Sequence, residues 1–506
     1  MSTRTAPGGG ESMADRKVWK AIIGGSPRDG SAGESFPVHE PATGEAFAEV
    51  VTCNETDVDV AVSTAGRAYE ENWRWRTPRE RGQLLLKLAR LIEEHADELA
   101  ELETREMGKP LEQSRQFDVR FAHGVCEYFG GLADKLVGDF IPQGPVGVYT
   151  VPEPYGVVGA VMPFNWPPIH VCGKVAPALA AGNTVVIKPA EQAPLTAIRV
   201  VELMNEVFPP GVVNVVPGFG PVGAALVGHP GIGKISFTGS TVTGRAVMQA
   251  ASENLTPVIL ELGGKNPFIV FPDADLDLAI KGAVEGMFFN QGEACTAASR
   301  ILLHEGIKEA FMERFCPAVE GLVVGDGLDG KTHIGPMVTE QQQQRVLDYI
   351  RLGEEEGAKI VARGMVPDDP RLKNGYYVPP IVFDDVKNSM RIVQEEIFGP
   401  VVVVTQFHDY GEAIQLANDT EFGLVAAVYT RDIAMANRAA REIDVGIVFV
   451  NNYNRAFLGS PFGGVKGSGN GREHGLETIR EFTTTKAVRM PSGLGEIPVW
   501  SAVRGL

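Results

Sequence analysis

Cys295 is a candidate nucleophile in the stretch NQGEACTAASR, residues 290–300, where it stands among small and polar side chains. A thiolate attacks carbonyl carbon readily and also leaves readily, so it suits covalent catalysis. Most buried cysteines are nevertheless inert, and their packing says little about function. No C-x-x-C pair or close Cys/His cluster suggests a metal site. Nucleophile and core residue therefore remain the two main interpretations of this thiol.

Two further polar residues lie in apolar or proline-rich surroundings. Glu261 ends the apolar run PVILEL, where a buried salt bridge is the plain interpretation. Asn165, in MPFNWPP, stands between prolines, and the sequence alone favours a turn there.

Two glycine-containing stretches could hold a dinucleotide. GFGPVG, residues 218–223, has the G-x-G-x-x-G spacing but lacks the acidic residue expected about twenty positions later, where Thr243 stands. FTGSTVTG, residues 237–244, is the better candidate, because Gly239 and Ser240 stand between a strand and a helix whose N-terminus could receive a phosphate. A plain helix cap at Ser240 would give the same pattern.

The composition is that of a globular protein with two or three domains. The chain has 506 residues, 44% hydrophobic and 22% charged, and a net charge of −18 that disfavours nucleic-acid binding. The N-terminus lacks the apolar core of a signal peptide, and no apolar run is long enough to span a membrane. Five scattered cysteines make no disulfide framework. We therefore expect a reduced, cytoplasmic protein with no membrane or nucleic-acid partner.

Strands and helices alternate through most of the chain. NTVVIKP, GVVNVVPG and KISFTGS have the pattern of buried strands, and PLTAIRVVELMNEVF and TVTGRAVMQAASE that of helices. The alternation restarts near residue 266, and PVVVVTQF adds a late central strand. This order predicts an α/β fold with two doubly wound parallel-sheet domains and a seam near residues 263–265. Residues 77–106 carry one long amphipathic helical pattern.

Six motifs follow one another in a specific order: MPFNWPP, IKPAEQAPLT, LELGGKNP, FFNQGEACTAASR, QEEIFGPVV and PFGGVKGSGNGREHG. In this order and spacing they resemble the NAD(P)-dependent aldehyde dehydrogenase superfamily, from about residue 25 to about residue 491. Phe164 departs from the pattern, since many relatives carry Trp before the asparagine. The resemblance favours the nucleophile interpretation of Cys295 over that of an inert core residue.

The resemblance also implies domain limits and subunit contacts. We expect a flexible tail at 1–15, a cofactor-binding domain from 16–137 and 153–263, and a catalytic domain at 264–479. Strands at 138–152 and 480–495 look like those that relatives use to join subunits. The protein is therefore expected to be a homodimer or homotetramer.

The resemblance implies a two-step reaction at Cys295. Its thiolate adds to an aldehyde, the thiohemiacetal loses hydride to the cofactor, and water hydrolyses the resulting thioester. Asn165 and the Cys295 N–H would stabilise the oxyanion, and Glu261 would activate water. Relatives that transfer the acyl group to coenzyme A typically lack this glutamate, so hydrolysis is favoured.

The cofactor residues carry over in the same way. Lys188 and Glu191 match residues that hold the adenosine ribose, and Gly239 and Ser240 match the pyrophosphate contact. Glu396 and Phe398 match residues beside the nicotinamide ribose and ring. We expect NAD to be preferred, with NADP as the alternative, because a carboxylate at Glu191 would repel a 2′-phosphate.

The substrate is the least determined feature. Gly173 stands where relatives that oxidise small aliphatic aldehydes often carry a bulky aromatic residue, which predicts extra space and medium or bulky apolar or aromatic aldehydes. Arg455 supports the alternative of a carboxylate-bearing semialdehyde. The candidate pocket residues are Trp166, His170, Gly173, Phe289, Arg455, Phe457 and Phe462.

Three further alternatives stay open at this point. The chain could be an inactive structural or binding member of the family, although every catalytic position is occupied. It could be a dehydrogenase that forms acyl-CoA or an acyl phosphate. It could also be a cysteine hydrolase, although none of the nine histidines lies in a recognisable hydrolase motif.

Overall fold

The computed structural model describes residues 17–453 and 457–504. The strands, in chain order, are β1 (Val18–Trp19), β2 (Ala21–Ile23), β3 (Ser26–Arg28), β4 (Ser35–Glu40), β5 (Glu45–Val51), β6 (Phe140–Gln143), β7 (Val146–Pro154), β8 (Val157–Val161), β9 (Thr184–Lys188), β10 (Val213–Val215), β11 (Lys234–Thr238), β12 (Val258–Glu261), β13 (Pro267–Val270), β14 (Arg300–His304), β15 (Lys359–Arg363), β16 (Ile381–Asp384), β17 (Val401–Phe407), β18 (Val425–Tyr429), β19 (Ile447–Val450), β20 (Gly469–Asn470) and β21 (Thr483–Pro491).

The helices are α1 (Glu55–Glu71), α2 (Pro78–Glu94), α3 (Ala96–Met107), α4 (Leu111–Gln113), α5 (Arg120–Leu132), α6 (Pro167–Ala181), α7 (Leu195–Val207), α8 (Gly220–Gly228), α9 (Thr241–Ser252), α10 (Leu276–Phe288), α11 (Glu305–Glu320), α12 (Glu340–Glu355), α13 (Arg391–Gln394), α14 (Tyr410–Asn418), α15 (Ile433–Glu442) and α16 (Leu476–Glu481). A π-helical segment at Ser114–Val119 joins α4 to α5.

The first large sheet has the strand order β20-β12-β11-β8-β9-β10-β2-β3. Its five inner strands, from β12 to β10, are parallel, and helices α6 to α9 connect them in chain order. Strands covered on both faces are continuous apolar runs, as in β9, where every residue is buried. The strand–helix alternation predicted for residues 183–252 is confirmed.

The second large sheet has the order β15-β16-β17-β14-β13-β18-β19. Six of its strands are parallel, and only the edge strand β15 runs antiparallel. Strand β17, the predicted late strand, pairs with β14 on one side and β16 on the other. The prediction of two α/β units, each built on a mainly parallel sheet, is confirmed.

A small antiparallel sheet with the order β21-β7-β6 stands apart from the two large sheets. Strands β7 and β21 pair along nine residues, from Val146↔Pro491 to Pro154↔Thr483. Strand β6 forms its edge, and the Phe140 side chain there is 68% exposed. The two segments predicted as a β element therefore pair with each other within one chain.

One helical boundary differs from the sequence prediction. The helical pattern of residues 77–106 is divided at His95 into α2 and α3, and α2 begins with a capping box in which Thr77 and Glu80 satisfy each other's backbone N–H groups. Near the end of the chain, strand β20 pairs antiparallel with β12, so the chain returns to the first sheet at residue 469. The predicted tail at 1–15 lies outside the described residues.

No helix in the described part of the chain has the length and apolar character needed to cross a membrane.

Candidate active site

Three connected cavities lead to Cys295, which lines two of them. One of about 530 Å³ and one of about 410 Å³ share five residues and form a continuous cleft along the carboxyl ends of β8, β9 and β11. A third, inner cavity of about 50 Å³ shares Thr238 and Cys295 with the second. The cleft and the inner cavity therefore open onto the same thiol. The five shared residues of the cleft are Pro163, Phe164, Thr238, Gly239 and Ser240.

Cys295 lies in the loop between α10 and β14, after a short turn in which Asn290 and Gln291 have left-handed backbone conformations. The Asn266 side-chain amide donates to the Cys295 carbonyl oxygen at 2.8 Å. A β-carbon on Gly264 would stand 2.5 Å from that oxygen, so only glycine allows this approach. The motifs LELGGKNP and NQGEACTAASR are therefore in direct contact.

Asn165 is buried immediately before α6, beside the same loop. Its side-chain Nδ2 donates to the Glu293 carbonyl oxygen at 3.1 Å, and its Oδ1 lies 3.2 Å from Nε2 of His170. Lys109 Nζ donates to the Asn165 backbone carbonyl at 2.8 Å. The second Nδ2 N–H of Asn165 has no acceptor among the residues that the structure describes. Asn165 and Cys295 line the same part of the cleft.

Glu261 ends β12 and lines the inner cavity together with Cys295. Its side chain is buried, and neither carboxylate oxygen has a hydrogen-bond partner among the described residues. Burial, followed by the nearby carboxylate of Glu473, raises the pKa of Glu261 well above its usual range. Glu261 does not form a buried salt bridge, because no cation of the described chain lies within ion-pair distance of its carboxylate.

The outer end of the cleft carries the residues predicted for an adenosine ribose. Lys188, at the end of β9, forms an ion pair of 2.6 Å with Glu191. Both line the cleft with Gly220 and Gly223 of the GFGPVG stretch, so that stretch borders the cleft although it lacks the complete fingerprint. Ser240 caps α9 by accepting from the Thr243 N–H at 3.2 Å. The N-terminus of this twelve-residue helix therefore faces the middle of the cleft.

The inner end of the cleft carries Glu396 and Phe398. The Gly264 N–H donates to Glu396 Oε1 at 2.9 Å, while burial raises the pKa of Glu396 to about 7. Phe398 has φ of 63° and packs edge-on against Phe164, with ring centroids 5.8 Å apart. These features fit a nicotinamide dinucleotide. The carboxylate at each end of the cleft suits a ribose, the helix N-terminus between them suits the pyrophosphate, and the aromatic side chains suit the nicotinamide ring.

No group of His, Cys, Asp and Glu suited to a metal ion occurs in 17–453 or 457–504.

The inner cavity contains three of the predicted pocket residues: Trp166, His170 and Phe462. Phe289 does not line the inner cavity but packs edge-on against Phe117, which does, with ring centroids 5.1 Å apart. Phe457 is 63% exposed and lies outside the cavity. Arg455 lies outside the described residues.

Gly173 does not leave the expected gap. A β-carbon there would meet His474 Nε2 at 3.6 Å, so an imidazole occupies the space that the missing side chain leaves. The ring of His474 lies between Phe121 and Phe462, with centroids 5.1 and 5.3 Å away.

Sequence reasoning missed several residues that line the inner cavity. The unanticipated members are Phe117, Phe121, Ile169, Thr238, Thr296, Glu473 and His474. Glu473 and His474 belong to the quoted motif PFGGVKGSGNGREHG, and Glu473 forms a buried ion pair of 2.8 Å with Lys174. Phe117 and Phe121 lie near the start of α5, a region with no quoted motif, and nothing in the sequence distinguished them from ordinary core residues.

A larger outer cavity of about 890 Å³ continues from the inner one, since Phe117 and Phe121 line both. Its walls carry basic, acidic and apolar side chains, including Arg115, Arg120, Glu93, Glu127 and Leu458. The thiol can therefore be approached from two sides: along the cleft and through this outer cavity.

Comparison with known proteins identifies the family. The model of the aldehyde dehydrogenase family matches residues 28–488. The chain belongs to the aldehyde dehydrogenase family. It is 51% identical over 474 residues to an aldehyde dehydrogenase of Didymella fabae, covering 94% of this chain and 96% of that protein. It is 45% identical over 478 residues to retinaldehyde dehydrogenase 3 of Mus musculus, covering 93% of each.

A solved structure has the same fold as this aldehyde dehydrogenase. PnpE, crystallised in complex with nicotinamide adenine dinucleotide, superposes with a TM-score of 0.93 and 44% sequence identity, covering 95% of this chain and 99% of that one. The fold and family expected from the six motifs are confirmed.

Proposed function

We propose that this aldehyde dehydrogenase oxidises an aldehyde to its carboxylic acid with NAD, through a covalent intermediate on Cys295. The observation that carries the proposal is the position of Cys295, where a cleft suited to a dinucleotide meets a cavity that contains a buried, unpartnered carboxylate. The NAD complex of PnpE supports the choice of cofactor.

In the first step, Cys295 Sγ bonds to the aldehyde carbon, and the carbonyl oxygen becomes an oxyanion. The remaining Nδ2 N–H of Asn165 is the donor for that oxygen; loss of one such donor typically costs about 10²–10³ in rate. NAD, when bound, would supply the hydride acceptor; loss of hydride from the tetrahedral carbon leaves a thioester on Cys295. Lys188, Glu191, Ser240 and Glu396 line the cleft and would hold the cofactor there.

In the second step, Glu261 takes a proton from water, the resulting hydroxide adds to the thioester carbon, and the Cys295 thiolate leaves with release of the acid. A raised pKa makes Glu261 a stronger base once it is ionised. The presence of this carboxylate in the cavity supports hydrolysis over transfer of the acyl group to coenzyme A or phosphate.

The substrate class we propose is a medium-sized or bulky apolar or aromatic aldehyde. The inner cavity has room for the reacting carbonyl and little more, but its walls include Phe117, Phe121, Trp166 and Phe462. The outer cavity can receive the rest of the molecule. Similarity to a protein named for retinaldehyde supports a long apolar substrate. A carboxylate-bearing semialdehyde is the alternative, since Arg115 and Arg120 line the outer cavity.

The test is a panel of aldehydes assayed with NAD and with NADP by the absorbance of the reduced cofactor. Benzaldehyde, cinnamaldehyde, retinaldehyde, acetaldehyde and succinic semialdehyde cover the competing classes. We expect the apolar and aromatic members to give the highest kcat/KM without coenzyme A or phosphate. A requirement for either co-substrate would contradict hydrolysis, and absence of turnover with every aldehyde would contradict the proposed function.

A further inference from the structure

The side-chain amide of Asn165 is held at both ends by protein groups. Its Nδ2 donates to the Glu293 carbonyl oxygen at 3.1 Å, and its Oδ1 lies 3.2 Å from His170 Nε2. Residues Asn165 and His170 are 3% and 9% exposed, so bulk water does not compete for these contacts.

The position of each proton follows from what each atom can do. A carbonyl oxygen only accepts, so the amide nitrogen must face Glu293, and Oδ1 must face His170. Because Oδ1 also only accepts, His170 Nε2 must carry the proton and donate it. Burial, with the cations of Lys174 and Lys109 nearby, lowers the pKa of His170 well below its usual range. The ring is therefore neutral, with a bare Nδ1.

The backbone of Asn165 is fixed independently of its side chain. Lys109 Nζ and Asn290 Nδ2 donate to its carbonyl oxygen at 2.8 and 3.3 Å. The His170 backbone is fixed by the first turn of α6, where the His170 N–H donates to the Trp166 carbonyl at 2.9 Å. Only the rotation of the amide itself therefore depends on the Glu293 carbonyl and on His170.

We infer that His170 is a positioning residue for the oxyanion donor: its Nε2–H locks the Asn165 amide so that the second Nδ2 N–H points to the oxygen that becomes negative. This inference rests on the proposed function, because it presumes a tetrahedral oxyanion at Cys295. A residue expected only to shape the substrate pocket thus acts on the reaction through Asn165.

Two substitutions separate the hydrogen bond from the bulk of the ring. His170→Leu fills similar space without a donor. His170→Gln is the matched control, because its Nε2 is three bonds from Cβ, as in histidine, and can donate to the same Oδ1. If the Leu variant is less soluble, His170→Met serves in its place.

Two assays read the oxyanion step directly. One is the pre-steady-state burst of reduced cofactor with an aldehyde. The other uses p-nitrophenyl acetate without cofactor: Cys295 adds to the ester carbonyl, the oxyanion collapses with release of p-nitrophenolate, and water hydrolyses the acetyl thioester. The dissociation constant of NAD, measured by fluorescence titration, and the Tm serve as readouts that a general loss of structure would change.

For His170→Leu we expect acylation to fall about 10- to 100-fold in both assays, since a small misplacement of a catalytic group has an effect of this order. The NAD dissociation constant of both variants should stay within about twofold of the wild-type value, because neither substitution moves the cofactor cleft. His170→Gln should recover acylation to within about threefold of wild type, because its amide restores the donor to Asn165 Oδ1.

Equal, slow rates for the Leu and Gln variants would overturn the inference, since ring volume and not the hydrogen bond would then matter. Wild-type rates for the Leu variant would overturn it as well. If the wild type is active in both assays and the Leu variant is unaffected, the inference about His170 is wrong but the proposed function is retained. A wild-type protein that is inactive in both contradicts the proposed function and this inference together.

Discussion

His474 Nε2 lies 3.6 Å from the point at which a β-carbon on Gly173 would stand, so a residue 301 positions later fills the space beside this glycine. The width of the inner cavity is therefore set by His474 and not by Gly173 alone. We expect His474→Ala to raise kcat/KM for retinaldehyde relative to acetaldehyde by about tenfold, because room for a single further methylene in an apolar pocket corresponds to about 1–3 kcal/mol.

Gly173→Ala is the converse substitution, because it adds a methyl group in ordinary contact with His474 and so narrows the cavity. It should lower the ratio of kcat/KM for retinaldehyde to kcat/KM for acetaldehyde. If both variants keep the wild-type ranking across the aldehyde panel, the substrate does not pass between these two residues.

Cys295→Ala should abolish aldehyde oxidation while NAD still binds, because the thiol forms the covalent adduct and the cofactor contacts lie on other residues. Turnover is measured with the best aldehyde of the panel, and NAD binding by fluorescence titration. Cys316→Ala is the control, since Cys316 lies on α11, outside the three cavities. Retained turnover above a few per cent would remove Cys295 from the mechanism.

Glu261→Gln should stall the enzyme at the thioester. A burst of about one reduced cofactor per site should precede a slow steady state, the kinetic mark of an accumulating acyl-enzyme. In the wild type, burial raises the pKa of Glu261, so hydrolysis should accelerate as pH rises through values above the usual carboxyl range, where the base becomes ionised. An unchanged steady-state rate in the variant would mean that another group activates water.

NAD should be preferred over NADP because the Glu191 carboxylate, held by Lys188 at 2.6 Å, would repel a 2′-phosphate. Glu191→Ser should raise kcat/KM for NADP and reduce the preference, since it removes the charge and leaves Lys188 free to pair with the phosphate. Equal kcat/KM values for the two cofactors in the wild type would contradict this assignment.

The small sheet β6-β7-β21 should join subunits into a dimer or tetramer. Its edge strand exposes Phe140 and Ile141, and an exposed apolar edge needs cover. Ile141→Asp should lower the mass measured by light scattering at micromolar concentration. Val361→Asp, on the exposed edge strand β15, is the control and should leave the mass unchanged. A wild-type monomer would contradict the assignment.

The parallel strands and the helices between them were predictable, because strands covered on both faces are short, uninterrupted apolar runs such as NTVVIKP. Gly239 and Ser240 also have a local signal, since they stand between a strand and a helix start. The other cofactor residues were assigned through the order of the six motifs, and their roles stay predictions.

The features that escaped prediction have no clear signal in the local sequence pattern. His474 and Gly173 meet only in the folded chain, and the Asn165–His170 hydrogen bond depends on the turn of α6. The break at His95 lies inside a helical pattern that continues on both sides, so periodicity did not mark it. The two-residue strand β20 lies in the glycine-rich GSGNG, which reads as a turn.

The pairing of β20 with β12 sets Glu261 opposite Gly469, so the proposed base lies where the first sheet is closed by a two-residue strand. The preceding Ser468 accepts from the Leu262 N–H and donates to the Gly263 carbonyl, which ties the returning chain to the same edge. Local opening of such a seam requires less free energy than global unfolding. Opening would admit water to Glu261 and return its pKa towards that of an ordinary carboxyl group.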